Sequence, residues 1–193
     1  MAVPIKELTT FARPALERHF IALGSEDRRL RFGGGLHDEA IRAYVDGIDF
    51  NRDAVFGVVD DELRIIGAAH LARGDSDAEL GVSVLPGHRG RGIGGELLKR
   101  AHTHARNWGV RELFMHCLAE NGAMMHLARS QGMAVVQGSG EADARLKLPP
   151  ADASSRVGEL FQQRVALADY AVKGQFANAR HALEAFRAIF PAG

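Results

Sequence analysis

The spacing of apolar and polar positions divides the chain into a strand-forming middle with helices before, within and after it. Val3–Leu8 (VPIKEL) alternates weakly, and Pro4 has no N–H to donate, so a short edge strand is expected there. Pro14–Leu23 (PALERHFIAL) carries apolar residues at helical spacing, with Pro14 suited to a first turn. Gly24 and Ser25 then read as a stop followed by a new cap. Arg31–His37 (RFGGGLH) predicts a loop, because three consecutive glycines weaken either regular element. A helix fits Asp38–Val45, ending near Gly47. Three strand-like runs follow: Ala54–Val59, Leu63–Ala72 and Ala78–Leu85, separated by Asp60-Asp61 and Arg73-Gly74-Asp75 and halted by Pro86-Gly87. Short antiparallel hairpins join such runs most economically.

Gly92–Trp108 reads as a long helix with Ile93, Leu97, Leu98, Ala101 and Ala105 on one stripe. Leu113–Leu118 predicts a strand, Gly122–Ser130 a helix, and Met133–Val136 with Ala144–Leu148 the closing strands. Pro149-Pro150-Ala151-Asp152 marks a boundary. Beyond it two helices are expected, split at Gly174, the second with Phe176, Ala179, Leu183, Phe186 and Phe190 at alternating three- and four-residue steps. Five of the chain's 13 aromatic residues lie in this tail, so it has something to bury. The order implies an α+β fold: a mixed, mostly antiparallel central sheet flanked by helices, with a C-terminal helical appendage. Residues 1–148 form the domain, and 149–193 a linker and helical extension.

Composition narrows the function. At 193 residues the chain suits one domain plus an appendage, on a prior of roughly 150 residues per domain. Lys plus Arg number 24 and Asp plus Glu number 24, so there is no basic excess for nucleic acid or an anionic membrane. No apolar run approaches the roughly 20 residues of a bilayer span, and MAVPIKELTTFARP lacks a signal-peptide core. Cys117 is the lone cysteine and has no internal disulfide partner. A reduced, cytoplasmic protein is the expectation.

Val82–Gly95, VSVLPGHRGRGIGG, carries the clearest chemistry. A strand ends, a turn bears Arg89 and Arg91, and glycines open a long helix. The first turn of a helix leaves N–H groups unpaired at the positive end of the dipole, and glycines let a ligand approach the backbone, so the turn reads as an anion site. The arginines strengthen a preference for phosphate. Gly90-Arg91-Gly92-Ile93-Gly94-Gly95 matches GxGxxG, yet four residues separate Leu85 from Gly90, where a dinucleotide-binding strand runs almost straight into its first glycine. A nucleotide P-loop needs Lys-Ser/Thr after its last glycine, and Glu96-Leu97 follows Gly95 instead.

The remaining pattern, Arg-x-x-Gly-x-Gly at Arg89, Gly92 and Gly94, resembles the coenzyme A pyrophosphate turn of GNAT-type N-acyltransferases. The resemblance runs from about Val3 to Leu148. It includes LFMHCLAENGAMMHLARSQGM, with Asn121 and Gly132-Met133 in register with the family's asparagine and Gly-aromatic pair. It implies acetyl-CoA as cofactor. Val82 and Val84 would pair with pantetheine through their backbones in a gap between splayed strands. Arg89, Gly90, Arg91, Gly92, Ile93, Gly94 and Gly95 would hold the pyrophosphate, and Asn121 the pantetheine arm. Within the family, Ser25–Phe32 (SEDRRLRF), Ile48-Asp49-Phe50 before AVFGVV, and Ala78–Val84 (AELGVSV) resemble bacterial protein-lysine acetyltransferase domains.

Acyl transfer to an amine needs the free base, and a lysine with pKa about 10.4 is mostly charged at neutral pH, so a general base is required. Glu79 is the first candidate. It interrupts an apolar strand leading to the glycine turn, and it matches the glutamate base of the lysine acetyltransferases that the chain resembles. Its other reading is a solvent-facing strand glutamate. His116, five residues before Asn121 where some GNAT enzymes carry a glutamate base, is the second candidate, with a histidine pKa near 6.5 suited to the task. A lone strand histidine is more often structural, and that reading also covers His70. His102 and His104 point about 200° apart on their helix, so no metal site is expected. Where many GNAT enzymes carry a tyrosine as acid for the leaving thiolate, this chain has Ala128. Cys117 beside His116 faces the opposite side of its strand, which favours direct transfer over a covalent intermediate.

The expected function is acetyl-CoA-dependent transfer of an acetyl group to a primary amine, either a protein lysine or a small molecule. A non-catalytic acyl-CoA-binding regulatory module is the alternative that Ala128 favours and Glu79 opposes. The C-terminal helices would pack on the domain, form a homodimer seam or shape the acceptor cleft. The Gly33–Gly35 loop would admit a large substrate.

Overall fold

The computed structural model describes residues 3–189, with side-chain surroundings through residue 180. Its elements are β1 (Lys6–Leu8), α1 (Arg13–Ile21), α2 (Ser25–Phe32), α3 (Asp38–Asp46), β2 (Ala54–Val59), β3 (Ile65–Arg73), β4 (Asp77–Val84), α4 (Ile93–Asn107), β5 (Glu112–Leu118), α5 (Gly122–Ser130), β6 (Ala134–Gln137), β7 (Glu141–Lys147) and α6 (Ala153–Ile189). The strands form one seven-stranded sheet in the order β1-β2-β3-β4-β5-β7-β6. Every pairing is antiparallel except β4 with β5, which α4 joins as a crossover.

Strand alternation builds a core on each face. Ala54, Phe56 and Val58 of β2 and Leu80 and Val82 of β4 pack with Ile93, Leu97, Leu98, Ala101 and Ala105, the apolar stripe of α4. The intervening Val55, with Ala68 and Ile65 of β3, packs against Leu16 and Phe20 of α1 and Ile41 and Val45 of α3. The apolar middle strands are therefore buried on both faces, as a sheet sandwiched between helices requires. No helix among the described residues is long and apolar enough to cross a membrane.

Two expectations change. Arg31 and Phe32 belong to α2 rather than to a loop, because the helix runs up to its left-handed cap, Gly33. The tail is one helix of 37 residues rather than two split at Gly174. A mid-helix glycine costs roughly 1 kcal/mol, and the packing of α6 offsets it. Glu159 meets Arg100, His104 and Asn107 of α4. Ala166 and Ala177 are buried, and Lys6 lies 3.4 Å from the centre of the Tyr170 ring. Lys173 donates to Val59 O at 3.0 Å. The inward stripe is thus small and polar. Phe176 is 65% exposed and Ala179 is exposed, so the aromatic stripe does not face the domain where it is described. The side chains of Leu183 and Phe186, and Phe190 altogether, lie outside the described residues.

The feature that positions the site is where β4 and β5 part. Their parallel pairing covers Asp77↔Glu112, Ala78↔Leu113 and Glu79↔Phe114 and then stops. Each strand continues, β4 paired with β3 as far as Val84↔Gly67 and β5 with β7 as far as Leu118↔Glu141. The facing edges of Leu80–Val84 and Met115–Leu118 have no strand partner across the gap.

Candidate active site

Two adjoining cavities open at this gap. The first, of about 520 Å³, is walled by Val82, Ser83 and Val84 of β4, the turn residues His88, Arg89 and Gly90, and Gly92–Gly95 at the start of α4. Asn121 and α5 close the far side, and Leu23, Asp27, Leu30 and Arg31 form the roof. Gly90 and Gly92 have φ of 73° and 77°, left-handed values that side-chain-bearing residues rarely adopt. They fold the turn so that the N–H groups of the first turn of α4 precede its first helical bond, Glu96 N–H to Gly92 O at 3.1 Å. A tight turn, unpaired N–H groups and a helix N-terminus suit a pyrophosphate, and the open edge of β4 suits an extended amide-bearing arm.

Of the ten residues singled out in the sequence for the cofactor, nine line this cavity; Arg91 is exposed and does not. Arg89 is already engaged, paired with Asp27 at 2.8 Å and donating through Nε to Val84 O at 3.0 Å. Asn121 caps α5, its Oδ1 accepting from Met124 N–H at 3.1 Å while Nδ2 donates to Leu30 O at 3.3 Å. The asparagine that resembles a ligand contact is therefore also the pin between α5 and α2.

The second cavity, of about 360 Å³, lies on the α2–α3 side of the sheet and shares Leu30, Arg31, Val82 and Met124 with the first. Its other walls include Glu79, Gly81, His70, Tyr44, Gly33 and His116. Glu79 is exposed at the last β4–β5 pair, where the strands begin to part. His116 reaches β7, its Nδ1 at 2.8 Å from Asp143 and its Nε2 at 3.6 Å from Glu141. The bond to Asp143 raises its pKa, outweighing a small burial effect. That favours the proton-carrying imidazolium, whereas a general base must start without the proton. Cys117 is buried, which pushes its thiol pKa up and withholds a thiolate nucleophile. Ala128 lies in the core at 1% exposure and lines neither cavity.

Several polar residues here were not marked by the sequence pattern. The Arg31 guanidinium lies against Gly81, where a Cβ would collide with it, and it stacks near Phe20, Phe32 and Tyr44. Tyr44, His70 and Asp53 form a hydrogen-bonded line. His19, 2% exposed, takes Ile65 O at 2.9 Å and Ser83 Oγ at 2.8 Å, and burial lowers its pKa to about 4. The available signal was weak: His70 is one polar residue in an apolar strand, and Tyr44 flanks the apolar stripe of α3.

The profile of the acetyltransferase (GNAT) family matches residues 20–133, more than half of the chain and all of the segment that builds both cavities apart from Glu141. No curated protein matches the sequence. Among solved structures, the GNAT domain of PAT from S. lividans superposes with a TM-score of 0.65 at 19% identity, over 75% of this chain and 89% of that one. The ribosomal-protein-alanine N-acetyltransferase of Brucella melitensis gives 0.61 at 23%, over 75% and 99%. Salmonella typhimurium yncA, solved with its cofactor acetyl-CoA, gives 0.61 at 19%, over 79% and 98%. At these identities the likeness is one of fold. The family profile carries the further step: the chain belongs to the GNAT family of acetyltransferases, whose acyl donor is acetyl-CoA.

Proposed function

We propose that this enzyme transfers an acetyl group from acetyl-CoA directly to a primary amine, with Glu79 as general base. The observation that carries the reading is the parting of β4 and β5 just beyond Glu79, with a groove suited to an anion on one side and a cavity suited to an amine on the other. The donor would lie along Val82 and Val84 with its pyrophosphate on the Arg89–Gly95 turn and its arm past Asn121. When bound, it supplies an activated acetyl group. Glu79 then takes a proton from the acceptor, whose ammonium has no lone pair to attack with. His116, paired with Asp143, is left at the rim and has no part in this step. The acceptor cavity admits a lysine side chain or a small amine, and the resemblance to protein-lysine acetyltransferase domains favours the lysine. We place the protein in the cytoplasm on its composition and its single, buried cysteine.

A non-catalytic acyl-CoA sensor is the second reading, and Ala128 at the usual tyrosine position is the observation in its favour. The two are separated in one series. Calorimetric titration with acetyl-CoA, with NADH as control, is expected to show selective binding. Assays with lysine peptides, polyamines and small amines are then expected to show turnover, and Glu79→Gln to keep acetyl-CoA affinity while lowering turnover about 10²-fold. Binding without turnover on any amine supports the sensor, and absence of binding removes both readings. We further propose that any homodimer is seated on the outward apolar face of α6.

A further inference from the structure

A line of four polar residues from four parts of the chain runs inward from the acceptor cavity: Arg31, Tyr44 and His70 line it, and Asp53 lies behind them. Asp53, just before β2, has a side chain 4% exposed; its Oδ2 lies 3.1 Å from His70 Nε2. Its Oδ1 accepts from Arg73 N–H at 3.2 Å and from Arg52 Nε at 3.2 Å. On the other side of the ring, His70 Nδ1 is 2.7 Å from Tyr44 Oη, and Arg31 Nη2 donates to Tyr44 Oη at 3.1 Å. The direction of these bonds follows from the groups. A carboxylate can only accept, so Nε2 carries the imidazole proton. A neutral ring then has a bare Nδ1, which accepts the Tyr44 hydroxyl proton. The Tyr44 oxygen receives an N–H from a guanidinium, retains capacity to accept once more, and belongs to a residue that lines the cavity.

We propose that Tyr44, backed by His70 and Asp53, receives from Glu79 the proton that this base has taken from the acceptor amine. The inference rests on the amine-acetyltransferase reading and deepens it. The open end of the line is close to Glu79: His70 is the register partner of Gly81, and Glu79 is two residues along the same strand face. Arg31 sits on that glycine, and it lines both cavities, so the line meets the point where donor and acceptor would join. The step balances within the line. The N–H bond of the acceptor ammonium breaks as its proton moves to the Glu79 carboxylate, and the O–H bond so formed breaks as that proton passes to Tyr44 Oη. The original Tyr44 proton crosses the existing bond to His70 Nδ1. The products are a neutral amine, a neutral tyrosine and an imidazolium held against the Asp53 carboxylate, and loss of that proton to water resets the line. Glu79, exposed at the mouth, thereby returns to the carboxylate and is ready for the next ammonium.

Burial outweighs the charges facing His70 and favours the neutral imidazole, the form that can accept. Burial is the largest influence and lowers its pKa, and Arg31 of α2 lowers it further. Asp53 and, from β4, Glu79 oppose them. Tyr44 of α3 is the remaining titratable contact.

The first test needs no acceptor: the His70 ring tautomer and titration are read by nitrogen-resolved NMR in wild type and in Tyr44→Phe. The expected result is an Nε2–H tautomer whose pKa rises in Tyr44→Phe, because the donor that stabilises the neutral ring is gone. An Nδ1–H tautomer, or a pKa indifferent to the substitution, overturns the relay. The second compares Tyr44→Phe, His70→Gln and Glu79→Gln in acetyl-CoA titrations and in the pH profile of kcat with a lysine peptide. Tyr44→Phe, which keeps the ring packing, is expected to bind acetyl-CoA within twofold of wild type. Its kcat should fall about 10²-fold at neutral pH, with the deficit closing as pH rises toward the acceptor's own pKa of about 10.4. A Tyr44→Phe kcat within threefold of wild type across that range overturns the proposal. Wild type that fails to bind acetyl-CoA or to acetylate any amine overturns the parent reading instead, and the NMR measurement still judges the line itself.

Discussion

At the residue scale, His19 and Gly92 show how one position ties stability to the site. The His19 imidazole is sealed between Ile65 O and Ser83 Oγ, and its pKa falls to about 4, burial being the main cause. Between that value and the ordinary 6.5 the unfolded chain binds a proton that the native state refuses. Its stability contribution is therefore complete above about pH 6.5 and declines as pH drops toward 4. Denaturant unfolding near pH 7.5 and near pH 5 is expected to show a loss from this group of about 2 kcal/mol, absent in His19→Gln. Gly92 combines a left-handed φ of 77° with open space around it. Gly92→Asp therefore meets no steric clash, yet it strains the turn and places a negative charge at an anion site. Acetyl-CoA affinity measured by calorimetry is expected to fall at least about 100-fold, with little loss of fold; undiminished binding would move the cofactor elsewhere.

At the element scale, α6 departs furthest from its sequence reading. Aromatic spacing pointed to a stripe of Phe176, Ala179, Leu183, Phe186 and Phe190 with something to bury, whereas the described part of the helix is held to the domain by Glu159. That carboxylate binds Arg100 at 2.5 Å, His104 at 2.5 Å and Asn107 at 2.5 Å. Burial alone would raise its pKa, but these three partners bring it down to about 2. Arg100 is 3% exposed, and removing Glu159 leaves this buried cation only Glu7 at 3.7 Å. Glu159→Ala is expected to cost about 3 kcal/mol by denaturant unfolding, and limited proteolysis should cut α6 first. Val157, Phe161, Val172 and Phe176 are left outward, each more than half exposed. If they seat a homodimer, the wild type should sediment as a dimer and the Phe161→Glu, Phe176→Glu double variant as a monomer. A monomeric wild type would dismiss the seam.

At the scale of the whole molecule, the sheet places the chemistry by ending one strand pairing early. Three β4–β5 pairs hold the two halves of the sheet together, and the unpaired continuation opens a slot with a cavity on each side. The cavity at the glycine turn, proposed for the cofactor, was legible because its signals are local: the Arg-Gly turn, the opening of α4 and the cap Asn121 fall within consecutive stretches. The cavity proposed for the acceptor was only partly legible. Glu79 stood out as a charge in an apolar strand. Tyr44, His70, Asp53 and Arg31 carry ordinary local patterns and acquire meaning only when β2, β3, α2 and α3 bring them into line. The substitutions Glu79→Gln and Tyr44→Phe test the two sides of that difference.

The sequence by itself determined the strand order, the helices α1, α3, α4 and α5, the α+β class and the phosphate-suited turn, because periodicity, glycine placement and helix capping act over a few residues. Tertiary structure alone decided which face of the described part of α6 turns inward, since one buried carboxylate with three partners outweighs the exposure of Phe161 and Phe176. It also decided the Asp53–His70–Tyr44–Arg31 line, whose members lie as far as 39 residues apart and meet only in the folded chain.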